Sequence, residues 1–196
     1  MIRKFAAPKG KILFQPGQPC PGYVVLSQGS IRVTLTGASG REVVLYRVRP
    51  GEVCLQTFSC LVEGKEYGAE GVAESDLVGE IIPADHFLSR LAEDEGFRTD
   101  ILRSVATRFA DYQTLIEDVA LSSFDARLAR VLLRHLSSDG FVGLTHAALA
   151  SETASGRAYV TRRLAALAER GVVEQRDHGL QILDKAGLEQ IAAETR

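Results

Sequence analysis

The chain has no tryptophan, one methionine and only three cysteines in its 196 residues. So few cysteines exclude a disulfide-built scaffold, and Cys20, Cys54 and Cys60 lack the paired spacing of a structural zinc site. Excess charge of one sign is also missing. A net charge of -2 means that nucleic-acid binding has to rest on where the arginines sit, not on bulk electrostatics. No apolar run approaches the roughly 18 residues that a membrane span needs. The opening Met1-Ile2-Arg3-Lys4-Phe5 carries neither a long apolar stretch nor a cleavage site, so a cytoplasmic chain with no membrane partner is expected. What the sequence does have is 45% apolar and 24% charged residues, enough to bury one core or two modest ones.

From Gly10 to about Pro83, apolar and polar residues alternate in short runs such as Gly22-Tyr23-Val24-Val25-Leu26 and Ser30-Ile31-Arg32-Val33-Thr34-Leu35. Glycine recurs between them at Gly17, Gly29, Gly37, Gly40 and Gly51. Short β-rich runs with glycine turns predict an antiparallel barrel or roll. From Ala84 the period becomes helical. Within 95–121, Leu102, Val105, Phe109, Tyr112, Ile116 and Val119 step by three and four alternately, and Arg103, Arg108, Asp111 and Glu117 fall on the other faces. A helix about 40 Å long exceeds what one small roll covers. The seam most simply buries itself against a second copy; packing wholly on its own domain is the alternative. Ser122-Ser123, with Asp125 opening the next helix, marks a hinge and the domain boundary.

Residues 144–153 read as a short helix with Thr145 as N-cap. Ala154-Ser155-Gly156 follow as a turn, and a second helix runs from Arg157 to Arg170, stopped by Gly171. Val160, Leu164, Leu167 and Ala168 share one face of that helix, which points Arg162 outward. Arg157 lies in the first turn, from which a long side chain reaches base edges, and Ser155 with the free amides of the helix start suits a phosphate. The candidate DNA contacts are Thr145, Ser155, Gly156, Arg157, Tyr159, Arg162 and Arg163. Val172–Arg176 and Leu180–Leu183 flank Asp177-His178-Gly179 and read as a two-stranded wing with a tight glycine turn. A helical hairpin used only for packing is the alternative to a winged helix-turn-helix.

The whole order resembles the cyclic-AMP receptor protein and fumarate-nitrate regulator (CRP/FNR) family of bacterial regulators over nearly all of the chain, and Gly51-Glu52-Val53 looks like the family's roll signature. The resemblance implies an α+β fold in three parts: a β-roll of the cyclic-nucleotide-binding, double-stranded β-helix type over 1–94, a dimerisation helix and hinge over 95–123, and a winged helix-turn-helix over 124–196. It also implies a homodimer on a two-fold symmetric operator, with RNA polymerase as a further partner, and no enzyme activity. The family's recognition motif survives as Arg157 and Arg162. Ala158 stands where glutamate is usual and cannot accept from cytosine, so the family's half-site does not carry over.

By the same resemblance Glu52 matches the glutamate that holds a ribose, but Tyr67-Gly68 replaces the Arg-Ser pair that holds the phosphate. Thr114 matches a base-contacting threonine, and Leu115 falls where a serine would follow. A phosphate buried without a cation is costly, which argues against control by cyclic AMP, with Lys65 as the one substitute cation. Nothing before Cys20 supplies an iron-sulfur cluster, and His86 alone is a weak case for haem, so no cofactor or metal is expected. Cys54 and Cys60, with Glu52 and Tyr67, make up the candidate sensor. In one straight helix those cysteines would be about 9 Å apart along the axis, too far for a direct disulfide, so a switch responding to oxidant, reactive sulfur or a soft metal requires the chain to turn near Phe58 or Ser59, to rearrange, or to be bridged by extra sulfur atoms or an ion such as Cu(I). Cys20 reads as a loop residue outside the pair. The alternatives are two inert buried thiols, an effector-independent regulator, and a thiol-dependent enzyme, for which no histidine lies close in sequence.

Overall fold

The computed structural model describes residues 2–38 and 40–194, excluding the side chains of 118–121. The chain forms two compact units, one of residues 1–35 with 45–113 and one of residues 36–44 with 114–196.

The first unit is a roll of two sheets. Strands β1 (Arg3–Ala7), β3 (Tyr23–Gln28) and β7 (Leu77–Ile82) form one in the order β1-β7-β3. The other has the order β2-β6-β4-β5, from β2 (Ile12–Phe14), β4 (Ile31–Thr36), β5 (Glu42–Val48) and β6 (Glu70–Ala73). The recorded registers are antiparallel, as the alternating pattern requires. Inward residues such as Leu26, Ile31, Val33, Val48 and Leu77 close a common core. Gly29 turns β3 into β4 at φ +88°, where a Cβ would lie 2.4 Å from the Asp76 carbonyl oxygen.

Three helices attach to the roll: α1 (Leu55–Glu63), α2 (Ala84–Glu93) and α3 (Glu95–Leu121). Phe87 of α2 stacks on Tyr23 with ring centroids 4.5 Å apart, and Val105 of α3 packs against the cluster around them. The heptad seam is therefore split. Val105 and Tyr112 turn toward their own roll, whereas Leu102, Phe109 and Ile116 stand 57, 63 and 66% exposed. Val119 lies outside the residues whose side chains are described. Arg108, read as a solvent-facing residue, is instead buried, and its ion pair supplies the reason below.

The second unit holds α4 (Phe124–Arg134), β8 (Phe141–Val142), α5 (His146–Glu152), α6 (Arg157–Glu169), β9 (Val173–Arg176), β10 (Gly179–Ile182) and α7 (Lys185–Ala193). Ser123 caps α4 by accepting from the Ala126 amide. Leu128, Leu132, Leu149, Val160, Leu164, Leu167, Leu180 and Leu188 form one core. The wing is three-stranded in the order β8-β10-β9. Its turn differs from the expected glycine turn. Gly179 pairs with Arg176 inside the ladder, where a Cβ would meet the Val142 carbonyl oxygen at 2.3 Å, and His178 takes the left-handed position at φ +65°. Ala168, expected in the core, is exposed.

Candidate nucleic-acid interface and sensor site

The helix pair is built by local capping. Thr145 Oγ1 accepts from the Ala148 amide at 3.1 Å and starts α5. Thr153, buried at its end, donates to the Leu149 carbonyl at 2.7 Å. Ala154 then enters the left-handed region at φ 50°, and Gly156 caps α6, its carbonyl accepting from Tyr159 and Val160. Val160, Leu164 and Leu167 anchor α6 in the core. Ala158, Thr161, Arg162 and Ala165, at spacings of three and four, make its outward face, with Arg157 exposed in the first turn. Ser155 is buried, and its amide donates to the Ala150 carbonyl at 2.8 Å, so it shapes the turn.

Two of the arginines serve different ends. Arg162 is exposed, with its guanidinium 5.6 Å from the Tyr159 ring centroid. Arg163 makes a two-pronged ion pair with Asp125 at the start of α4, its Nε donating to Oδ1 at 2.7 Å, and Asp125 holds the guanidinium above its ordinary value. Tyr159 packs edge-on against Phe124 at 4.6 Å. Arg163 and Tyr159 thus fix the angle at which α6 leaves α4, a role absent from the sequence reading.

His146 was also missed. Its Nδ1 lies 2.9 Å from Thr161 Oγ1, which already donates to the Arg157 carbonyl, and its Nε2 lies 2.9 Å from Gln175 Nε2. The hydroxyl must therefore accept from Nδ1–H, and Nε2 must accept from the amide. The imidazole ties α5, α6 and β9 together. The residues lie 15 and 29 positions away, so no local signal marks this contact.

In the roll, Glu52 accepts from the Arg49 amide at 2.7 Å and pairs with Arg108 of α3. Arg108 is 7% exposed, reaches Asp111 Oδ2 at 2.9 Å, and lies 5.4 Å from the Tyr46 ring centroid. Tyr46 meets Tyr112 edge-on at 5.8 Å. Burial, with Cys54 as the second cause, pushes the Tyr112 hydroxyl up to about 12. The carboxylate matched to ribose binding is thus engaged by an internal cation. Tyr67, where a phosphate clamp would sit, is buried and stacked on Phe14 at 4.5 Å. Lys65 pairs with Glu63 at 2.6 Å, and its side chain is 73% exposed.

The cysteine site departs from expectation in two ways. Helix α1 runs unbroken through Phe58 and Ser59, so the chain does not turn between Cys54 and Cys60. Cys54 is instead the N-cap residue, fully buried, and burial raises its thiol. Cys60 is pushed from 9.0 to about 11 by burial, then by Cys20 and Cys54. Cys20 is no outsider: it packs on the same core and its thiol lies 4.0 Å from the Thr57 carbonyl oxygen on α1. Among the described residues no group of three or more His, Cys, Asp or Glu is placed to hold a metal ion, and no helix is long and apolar enough to cross a membrane.

Known proteins match both halves. Residues 4–94 match the cyclic nucleotide-binding domain model, and residues 126–191 match the Crp-like helix-turn-helix domain model. The chain belongs to the CRP/FNR family. Its similarity to the cyclic AMP receptor protein of Thermus thermophilus is 27% identity over 94% of this chain and 86% of that protein. The global nitrogen regulator of Synechococcus elongatus is 24% identical over 93% of this chain and 86% of its own length. A CRP/FNR-family transcriptional regulator from Eubacterium rectale superposes with a TM-score of 0.89 at 28% identity, covering 98% of this chain and 90% of that one. This CRP/FNR chain is accordingly a DNA-binding transcription regulator.

Proposed function

We propose that this CRP/FNR regulator acts in the cytoplasm as a homodimer on a two-fold symmetric operator, and that cyclic AMP does not control it. The observation that carries the effector reading is the Arg108–Glu52 pair. A ribose would have to displace a buried guanidinium from its carboxylate, and a phosphodiester would meet the buried, uncharged side chain of Tyr67. Control passes instead through the thiols of the roll, Cys54 and Cys60, which adjoin Tyr67 and the α1 helix that follows Glu52.

Dimerisation is supported by Leu102, Phe109 and Ile116, an exposed apolar stripe at seven-residue spacing. Arg157 and Arg162 read bases, and Ala158 offers a small apolar contact suited to a thymine methyl group. Thr145 and Gly156 shape the helix pair, and RNA polymerase is the partner of the promoter-bound dimer. Burial raises the Cys54 and Cys60 thiols, whereas an enzyme nucleophile requires an activated thiolate, which disfavours a thiol-dependent enzyme.

A second reading, an effector-independent regulator, is favoured by the same ion pair, in which Arg108 engages from within the carboxylate that a ribose would use. Operator binding by the reduced full chain separates the two. Under thiol control, peroxide shifts operator affinity at least several-fold, a cysteine-to-serine variant loses the shift, and cyclic AMP does nothing. Affinity indifferent to oxidant supports the second reading, and affinity raised by cyclic AMP overturns both.

A further inference from the structure

The sequence pairs Cys54 with Cys60, yet the fold aligns Cys60 with Cys20. Cys20 sits in the loop between β2 and β3, between Pro19 and Pro21, which restrict the backbone there. The loop is held at both sides of Tyr67, since the Gly17 amide donates to the Tyr67 carbonyl at 2.9 Å and the Tyr67 amide to the Gln18 carbonyl at 3.1 Å. The Cys20 thiol lies 3.3 Å from the Gly22 carbonyl oxygen and 4.0 Å from that of Thr57. Thr57 lies one helical turn before Cys60 on α1, so the same stretch of helix presents Cys60 to Cys20. Cys20 packs on the same core cluster that holds Cys60 and Tyr67. Cys60 is buried, whereas Cys20 is only partly so and gives oxidant a way in.

We propose that Cys20 and Cys60 are the oxidisable pair of the roll and close an intramolecular disulfide on exposure to a peroxide. The proposal rests on the reading of the roll as a thiol-controlled half, and it replaces Cys54 by Cys20 within that reading. The Cys20 thiolate attacks a peroxide oxygen, the O–O bond breaks, and hydroxide (water once protonated) leaves, giving a sulfenic acid at Cys20. The Cys60 sulfur then attacks the Cys20 sulfur, the S–O bond breaks, and a second water forms from the departing hydroxide and the thiol proton. Two thiols are oxidised and one hydrogen peroxide is reduced to two waters. Bond formation brings the sulfurs to about 2.05 Å, a movement of the loop that carries Cys20, with helix α1 left intact. Cys54, at the buried start of α1, remains a thiol.

The test uses the full chain, reduced, then treated with hydrogen peroxide under native conditions, blocked with iodoacetamide and mapped by non-reducing peptide mass spectrometry. The free-thiol count under denaturing conditions is measured alongside. The proposal expects the count to fall from three to one per chain, with the peptide bearing Cys20 linked to the peptide bearing Cys60. The link should survive in Cys54→Ser and vanish in Cys20→Ser, a partly exposed loop variant whose fold is checked by its melting temperature, and in Cys60→Ala. A link that persists in Cys60→Ala, a bond confined to Cys54 and Cys60, a link only between chains, or three free thiols after treatment would overturn it. Operator affinity is read separately. If the link forms and affinity does not change, the pairing stands and thiol control of DNA binding fails.

Discussion

Arg108 on α3 and Glu52 in the loop after β5 form an ion pair that joins the long helix to its roll. The guanidinium is almost entirely out of water, shared between Glu52 and Asp111 and set near the face of Tyr46. A cation in such a place is sustained only by its partners.

Replacing Arg108 by alanine leaves Glu52 without its cation and opens a space beside Tyr46. Full burial of both partners would put the loss near the upper end of what breaking such a pair costs, but Glu52 keeps about a third of its side-chain exposure. The expected loss is about 2 kcal/mol in urea unfolding. Arg103→Ala, which breaks the exposed pair with Asp100, should change stability by less than about 0.5 kcal/mol. Equal effects of the two variants would show that the burial of Arg108 does not matter.

Arg163 and Arg162 are neighbours on α6 with opposite expected signatures. Arg163→Ala removes the two-pronged contact with Asp125 and should lower the stability of the C-terminal unit by about 1 kcal/mol, the value being reduced because the Arg163 side chain is 37% exposed. Arg162→Ala should leave the melting temperature within error and weaken operator binding. Thermal melts of the two proteins, side by side with binding curves, check the division.

Phe109 marks the middle of the exposed stripe on α3. Phe109→Glu places a charge in the proposed dimer seam and should shift the species in sedimentation from twice the mass of the 21.3 kDa chain toward the single chain. Val105 variants are a poor test, because Val105 packs on its own roll and its loss unfolds rather than dissociates.

Burial keeps Cys60 protonated in the folded protein up to about 11, whereas the unfolded thiol releases its proton near 9.0. Between those values the unfolded state binds fewer protons, so stability falls as pH rises across that window and is unaffected below it. Cys60→Ala should flatten part of the decline in melting temperature between pH 9 and 11. Parallel wild-type and variant curves would contradict the assignment.

Much of the helix pair was legible because capping is local. Thr145 and Gly156 open their helices within three residues of the groups they satisfy, and the inward face of α6 follows from the spacing of Val160, Leu164 and Leu167. The last helix went unread although its signal is local: Asp184 caps α7 by accepting from the Gly187 amide at 2.9 Å, ahead of inward Leu188 and Ile191. What escaped was set by distant contacts. Arg108 has the residue type of a solvent-facing position, and Glu52 and Tyr46, far back in the chain, make it an interior one. Cys20 looks like a loop residue until α1 is folded against it. The wing turn misled because Gly179 serves the close approach of Val142 rather than a positive φ.

The central claim, a dimer that reads DNA through Arg157 and Arg162, is tested most directly by selecting bound sequences from a random duplex pool with the reduced full chain. The account predicts enrichment of two-fold symmetric sites whose half-sites are centred about one helical turn, roughly 10 base pairs, apart. On the selected site Arg157→Ala and Arg162→Ala should each bind about 5- to 150-fold more weakly, the loss of one good arginine–base contact. No enrichment of a symmetric site, or variants that bind it as tightly as the wild type, would contradict the account.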